Sequence, residues 1–238
     1  MKSKFIMNNN KTFNHVDIGC DMPDDIYNVD DGPDGRVYTT DSREWSYPSV
    51  TTVLGDQADM SWLQGWYDRV GEETAKNITR NASERGTAFH DSAEKYLSNK
   101  PVTNKHGLAH KMFLEAKDNL DRIDDVMCLE NALVSHKLRI AGRVDCIGSF
   151  DGAPSLIDFK TSRKVKTERQ IESYRKQVAL YAYMFEEMTG LVLDNYTIIM
   201  ACETGEQLIF EGYNFNNIES AVNDVREYWK LREVEIDV

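Results

Sequence analysis

Apolar residues recur at helical spacing through the first half of this chain and switch to alternation near residue 126. Pro48 and Ser49 open a short helix through Val53 and Leu54, with Ser49 as its N-cap. From 61 to 99 the pattern stays helical, Trp62, Trp66 and Val70 marking one face and Phe89, Ala93, Tyr96 and Leu97 another. Gly71 and Gly86 predict breaks in it, and a further helix runs from about residue 105 to 120 through Leu108, Met112 and Ala116. Residues 126–136, 138–150 and 153–160 then alternate as three successive strands. Residues 167–188 form a long amphipathic helix with Ile171, Tyr174, Val178, Tyr181 and Phe185 inward. Strands over 196–202 and 207–210 and a closing helix over 218–231 complete the chain.

This order predicts an α/β (α+β) domain with one mixed central β-sheet flanked by helices. There is no internal repeat and no composition break sharp enough for a linker, so residues 46–238 read as a single domain, helical over 49–124 and sheet-based over 126–238. Residues 1–45, rich in Asp, Asn, Gly and Pro, read as an irregular acidic lead-in. Its aspartates do not fit a calcium loop: counting from Asp30 the third position is Gly32, and no glutamate stands at the twelfth.

Composition narrows the function classes. The 238 residues carry 40 acidic and 28 basic side chains, a net charge of −12, which argues against a protein that coats nucleic acid or an anionic membrane. The excess belongs to the ends, because residues 61–200 carry 20 of each sign. Within that neutral middle, residues 160–176 hold seven basic side chains against Glu168 and Glu172. Screening confines charge to roughly 8–10 Å in physiological salt, so such a patch can hold phosphates on an acidic protein, though a solvated helix start explains it as well. No apolar run is long enough for a signal peptide or a bilayer span, which predicts a soluble, cytoplasmic protein with no membrane partner. Cys20, Cys128, Cys146 and Cys202 form no C-x-x-C pair, so neither a zinc ribbon nor an iron–sulfur cluster is expected.

The chemistry concentrates in residues 142–162, GRVDCIGSFDGAPSLIDFKTS. Asp151-Gly152 is a two-residue hairpin turn of type I′. A turn there sets Asp145 opposite Asp158 on one face, Cβ atoms roughly 4.5–5.5 Å apart, with Lys160 on the same face and Arg143 across from it. Opposed carboxylates repel, and Mg²⁺ or Mn²⁺ suits an all-oxygen site that keeps room for water and phosphate. Together with Lys160 and Arg143 such an ion makes a phosphodiester hydrolysis site. The alternative is a solvent-facing hairpin whose aspartates pair with Arg143 and Lys160, and Pro154 near the turn could shift the register by one.

Asp145, the run Asp158-Phe159-Lys160-Thr161-Ser162, and Gln177 with Tyr181 on the following helix resemble the PD-(D/E)XK nuclease superfamily, in its RecB-like exonuclease branch. Residues 47–54 and 86–90 also look like a mitochondrial genome-maintenance exonuclease and its phage-encoded relatives, so the resemblance covers roughly 47–200. It implies a restriction-endonuclease-like core with an N-terminal helical gate. It also implies metal ligation by Asp145, Asp158, the Phe159 carbonyl, His90 and Glu130, with Lys160 as the catalytic lysine supported by Gln177 and Tyr181. Arg143, Thr161, Ser162, Arg163 and Lys164 are then expected to contact DNA.

Duller readings stand beside these. His90 with Glu94 could be a surface pair, Tyr181 could be core, and Trp62 and Trp66 could stack bases or fill the core. Glu130 opposes Asp145 only if the chain turns at Lys137-Leu138, which is poor turn chemistry. The expectation is a Mg²⁺- or Mn²⁺-dependent DNA exonuclease of replication, recombination or repair, acting on single strands or free ends, without iron–sulfur cluster or nucleotide cofactor. The rivals are a flap or junction endonuclease of the same superfamily, an inactive DNA-binding protein on that fold, and an α/β scaffold with surface ion pairs. Partner proteins from replication or recombination would accompany the first.

Overall fold

The computed structural model describes residues 11–20, 22–32, 35–58, 60–103 and 106–237. The Trp62, Asp30 and Asp31 side chains and the helix start expected at 105 lie outside them.

The irregular lead-in is not irregular throughout. Strands β1 (Tyr27–Gly32), β2 (Gly35–Thr39) and β3 (Ser46–Pro48) form a small antiparallel sheet in that order. Its strands are short and polar, and what orders them is tertiary: Ile26 and Tyr38 bury against Ala132, Val134 and Ala141, with Trp45 and Tyr47 packed alongside. Helix α1 (Val50–Asp56) follows, its N-cap Ser49 accepting the Thr52 N–H at 2.9 Å. Gly71, at φ 83°, separates α2 (Ser61–Val70) from α3 (Glu72–Leu97).

Helix α3 runs unbroken through Gly86, contrary to the expected break. A mid-helix glycine costs about 1 kcal/mol, which the buried face through Ala75, Arg85, Phe89, Ala93, Tyr96 and Leu97 outweighs. With α4 (Gly107–Leu120) it packs on the sheet through Phe89, Tyr96, Phe113 and Leu120 against Ile157, Phe159 and Ile199. The helices expected to gate the sheet therefore divide: α3 and α4 belong to the core, while α2 buries no described side chain. Trp66 on α2 is half-buried and tilted against Tyr67.

The sheet half follows the alternation: β4 (Ile123–Ser135), β5 (Ile140–Phe150), β6 (Ala153–Ser162), α5 (Glu172–Thr189) entered through a 3₁₀ turn (Glu168–Ile171), β7 (Asn195–Cys202), β8 (Gln207–Tyr213) and α6 (Phe215–Lys230). The strands lie in sequence order in one five-stranded sheet, β6 and β7 parallel and the rest antiparallel. Its second face is covered by α1, α5 and α6, through Val53, Val178, Phe185 and Val225 against Val144, Ile147, Leu156 and Ile198. Helices on both faces of a mixed sheet give the α/β layering the sequence predicts.

Both hairpin registers decide the site. Asp151 and Gly152 have φ 50° and 82°, as a type I′ turn requires, and Ser149 pairs with Pro154, so the proline does not shift the register. The β4–β5 strands pair Asn131 with Val144 and Leu129 with Cys146, the register that sets Glu130 level with Asp145. The chain turns over residues 136–139, and Glu187 of α5 makes that turn possible. Its carboxylate accepts from Ser135 Oγ at 2.6 Å and from the backbone N–H of His136 and Lys137 at 3.1 and 3.3 Å. Those bonds replace the local turn chemistry that Lys-Leu lacks.

Candidate metal centre and strand cleft

The β5–β6 ladder ends at Cys146 opposite Ile157, one residue short of the two aspartates. Beyond it the strands part, and Asp145 Oδ2 accepts the Phe159 N–H at 2.7 Å in place of a ladder carbonyl. Arg143 and Lys160, expected to stand across from each other, are therefore not ladder partners. Asp158 is buried and its carboxylate lies 2.7 Å from Lys160 Nζ through either oxygen.

His90 enters from α3. Its Nδ1 stands 3.4 Å from Asp145 and 4.0 Å from Glu130, so it faces these carboxylates rather than forming the alternative surface pair with Glu94. His90, Glu130 and Asp145 each offer one ligand atom, all within 4.8 Å of one another. Glu130 reaches this position from the left-handed region, at φ 54° in mid-strand, with Asn131 Oδ1 accepting the Leu129 N–H at 2.8 Å across the irregularity.

Electrostatics follow from this crowding. Burial and the Asp145 charge push the Glu130 carboxyl up to about 7, His90 offsetting part of that. Burial also pushes Asp158 above the usual carboxylate range, and Asp145 adds to it while Lys160 opposes. Burial acts on Asp145 in the same direction, but His90, Lys160 and the Phe159 N–H outweigh it and hold Asp145 below its ordinary value. His90 is depressed by burial and raised more by Asp145, to about 9. Lys160 loses by burial and gains more from Asp158 and Asp145, so it stays an ammonium.

A polar relay holds that ammonium. Lys160 Nζ donates to Gln177 Oε1 at 3.2 Å, Gln177 Nε2 donates to the Tyr181 hydroxyl at 3.4 Å, and the Tyr174 ring lies 5.0 Å from Nζ. The i, i+4 spacing of Gln177 and Tyr181 is what lets one helix supply both. Tyr181 is core and site at once, its ring lying over Gly142 of β5.

These groups line a cleft of about 600 Å³ whose opposite wall is the small N-terminal sheet. Arg143 and Glu94 line it, together with Asn28, Arg36, Tyr38 and Asp91, which the sequence alone does not point to. Asp91 directly follows His90 and Glu94 stands one turn beyond it on α3, while nothing local in the lead-in points to Asn28, Arg36 or Tyr38. Not every residue expected at the site reaches it. The Ser162 hydroxyl is spent in its own loop, donating to the Lys164 carbonyl at 2.7 Å. Arg163 and Lys164 line a separate exposed cleft, and Thr161 lies against Gly86 of α3. The Phe159 side chain is core, its ring 6.1 Å from His90.

The donors fit a hard divalent cation. One imidazole and two carboxylates, those of Glu130 and Asp145, converge within 4.8 Å, and the buried Asp158 carboxylate lies beside them on Lys160. Asp158 Oδ2 faces the Lys160 ammonium at 2.7 Å, so that cation already compensates its buried charge.

Comparison with known proteins agrees with the resemblance read from the sequence. Residues 114–210 match the model of the PD-(D/E)XK nuclease superfamily. Mitochondrial genome maintenance exonuclease 1 of Homo sapiens is 29% identical, over 63% of this chain and 49% of its own length, and that of Mus musculus is 29% identical, over 63% and 50%. The chain thus spans about half the length of the curated relatives it matches. A crystal structure of a candidate exonuclease from Eubacterium rectale is similar at a TM-score of 0.41 and 13% identity, over 82% of this chain and 72% of that one. Among the described residues no helix is long and apolar enough to cross a membrane.

Proposed function

We propose that this chain is a divalent-metal-dependent deoxyribonuclease that hydrolyses phosphodiester bonds exonucleolytically, from free ends or on single strands, in replication, recombination or repair. The observation that carries this reading is the convergence of His90, Glu130 and Asp145 within 4.8 Å, beside the buried Asp158–Lys160 pair, at the floor of one cleft. His90, Glu130, Asp145 and Asp158 would hold Mg²⁺ or Mn²⁺, with the Phe159 carbonyl completing the set. When bound, the ion supplies Lewis acidity to the scissile phosphate and lowers the pKa of a bound water.

The chain's own groups do the rest. Lys160, held protonated by Asp158 and Asp145, serves as a fixed positive charge against the phosphate and a donor that orients the attacking water. Gln177 and Tyr181 keep its long side chain in one position, which reduces the ordering cost of each turnover. Arg143 contributes a phosphate contact at the rim, and the acidic surface elsewhere makes binding weak and salt-sensitive.

End-labelled single and double strands incubated with Mg²⁺, Mn²⁺ or EDTA test the assignment. Degradation should need the metal and disappear in Lys160→Ala and Asp158→Ala while circular dichroism stays unchanged. Undiminished activity in either variant overturns it. A covalently closed single-stranded circle should survive; its cleavage would make the enzyme an endonuclease.

A further inference from the structure

A second cleft, of about 510 Å³, is bordered by α3 through Ile78, Asn81 and Arg85 and completed by His106, Leu108, Arg163 and Glu203. Arg85 stands five residues before His90 on α3, a rise of about 7.5 Å along the axis. It is 6% exposed, among the most buried charged side chains of the protein. Its Nη1 is ion-paired with Glu203, and its Nε is buried with no hydrogen-bond partner. A guanidinium offers donors in a fixed fork, and here only one side of the fork is used. Packing holds Arg85 in place while leaving the Nε donor unsatisfied, the arrangement expected where an oxyanion is the missing acceptor.

The surroundings support that reading. Arg163, exposed, follows directly from the Lys160 strand and lines the same cleft. Three residues of extended chain separate it from Lys160, about 10 Å. The Glu203 backbone is fixed, its N–H donating to the Ser162 carbonyl at 2.9 Å, so its carboxylate is a built counter-ion for Arg85. A carboxylate mimics one face of a phosphate, and an arriving phosphate would compete with it for the same fork.

We propose that this cleft is a second phosphate subsite, in which Arg85 and Arg163 hold a non-scissile backbone phosphate of the nucleic-acid strand and Glu203 is the competing anion that phosphate displaces. The proposal rests on the nuclease reading for the identity of the strand, and its test does not depend on cleavage. The phosphate is either an internal diester or the terminal monophosphate of a free end.

The experiment is equilibrium binding of fluorescent single-stranded oligonucleotides to the full chain in EDTA, across a salt series, with 5′-phosphate, 3′-phosphate and hydroxyl-ended arms. A set carrying one neutral methylphosphonate at successive positions reports internal contacts. Arg163→Ala should weaken binding about 3- to 10-fold and reduce the log–log salt slope by about 0.7, the increment for one single-strand phosphate. Glu203→Gln, which keeps a hydrogen-bonding amide beside Arg85, should tighten binding several-fold. One methylphosphonate position, or removal of one terminal phosphate, should weaken the parent protein and leave Arg163→Ala unaffected; which of the two occurs identifies the source. A merely structural Arg85–Glu203 pair predicts equal or weaker binding in Glu203→Gln. That result, or an unchanged salt slope in Arg163→Ala, overturns the subsite. Loss of metal-dependent cleavage in the parent protein would overturn the nuclease reading instead.

Discussion

Gly142→Ala probes how closely the sheet and the polar relay are fitted. Gly142 pairs with Leu133 in extended backbone, and its φ is not positive, so alanine is acceptable there conformationally. Space is the obstacle. A Cβ would lie 2.7 Å from Tyr181 Cε1 and 3.0 Å from its hydroxyl, well inside the roughly 3.5–4.0 Å of good contact. Tyr181 is 4% exposed and packed in the larger core cluster, so it cannot swing aside without moving its neighbours. Overpacking of this kind costs about 1–3 kcal/mol. Tyr181→Ala alone costs about 3–5 kcal/mol by leaving a cavity. With that ring gone the obstruction is gone, and Gly142→Ala should be neutral or stabilising by about 0.4–1 kcal/mol through the unfolded chain. The cycle therefore predicts a coupling of about 1–4 kcal/mol, read from urea midpoints at constant m-value. Tyr181→Phe is the control: it keeps the ring and should leave the cost of Gly142→Ala in place. Equal costs of Gly142→Ala in the parent protein and in the Tyr181→Ala variant would refute the steric argument.

Three further outcomes follow from the same geometry. Glu187→Ala strips the acceptor from Ser135, His136 and Lys137 and should cost about 2 kcal/mol in urea unfolding, with Glu187→Gln recovering part; a cost below about 0.5 kcal/mol would show that the β4–β5 turn stands without it. Glu130→Gly relieves both a left-handed φ and repulsion from Asp145, so the metal-free protein should gain about 1 kcal/mol while calorimetry shows Mn²⁺ affinity lost; destabilisation would mean the strand is not strained there. Glu130 and His90 both have raised folded values, so the stability they contribute is full below their unfolded values near 4.5 and 6.5 and is lost as pH rises through about 7 and 9. In EDTA the melting temperature should therefore fall on their account from pH 5 to 9, while the increment on adding Mn²⁺ grows because ligation needs the deprotonated groups; an increment that shrinks with pH contradicts the ligand set.

What the sequence revealed and what it hid separate by how local the cause is. The β5–β6 register was legible because Asp151-Gly152 specifies its own turn, but not that the ladder would end at Cys146 and Ile157, short of Asp145, Asp158 and Lys160. The β4–β5 register was legible only as a condition, since the group that stabilises its turn is Glu187, some fifty residues away on α5. The small sheet could not be read from its residues: strands this short and polar have no periodicity, and Ile26 and Tyr38 order them only against an edge built by β4 and β5. His90 was visible only through the family resemblance, because a histidine four residues before a glutamate on a helix is an ordinary surface pattern. The net charge pointed away from nucleic acid until it was resolved along the chain.

Two departures from regular sheet structure meet at the site, and this is the strongest physical argument for it. Continuing the β5–β6 ladder by one more pair would fill the gap between Asp145 and Asp158 with backbone and leave two like charges face to face. The strands part instead after Cys146 and Ile157, and the Phe159 N–H, released from a ladder role, is satisfied by Asp145. On the neighbouring strand Glu130 takes a φ that costs about 1–2 kcal/mol and carries its carboxylate to the same point. Asp158 is buried with the Lys160 ammonium 2.7 Å away as its counter-ion. Packing for its own sake would favour none of these, and the helices on both faces make each of them tolerable. Together they create a partly desolvated gap where the Glu130 and Asp145 carboxylates converge, which a divalent cation and a phosphate can fill together.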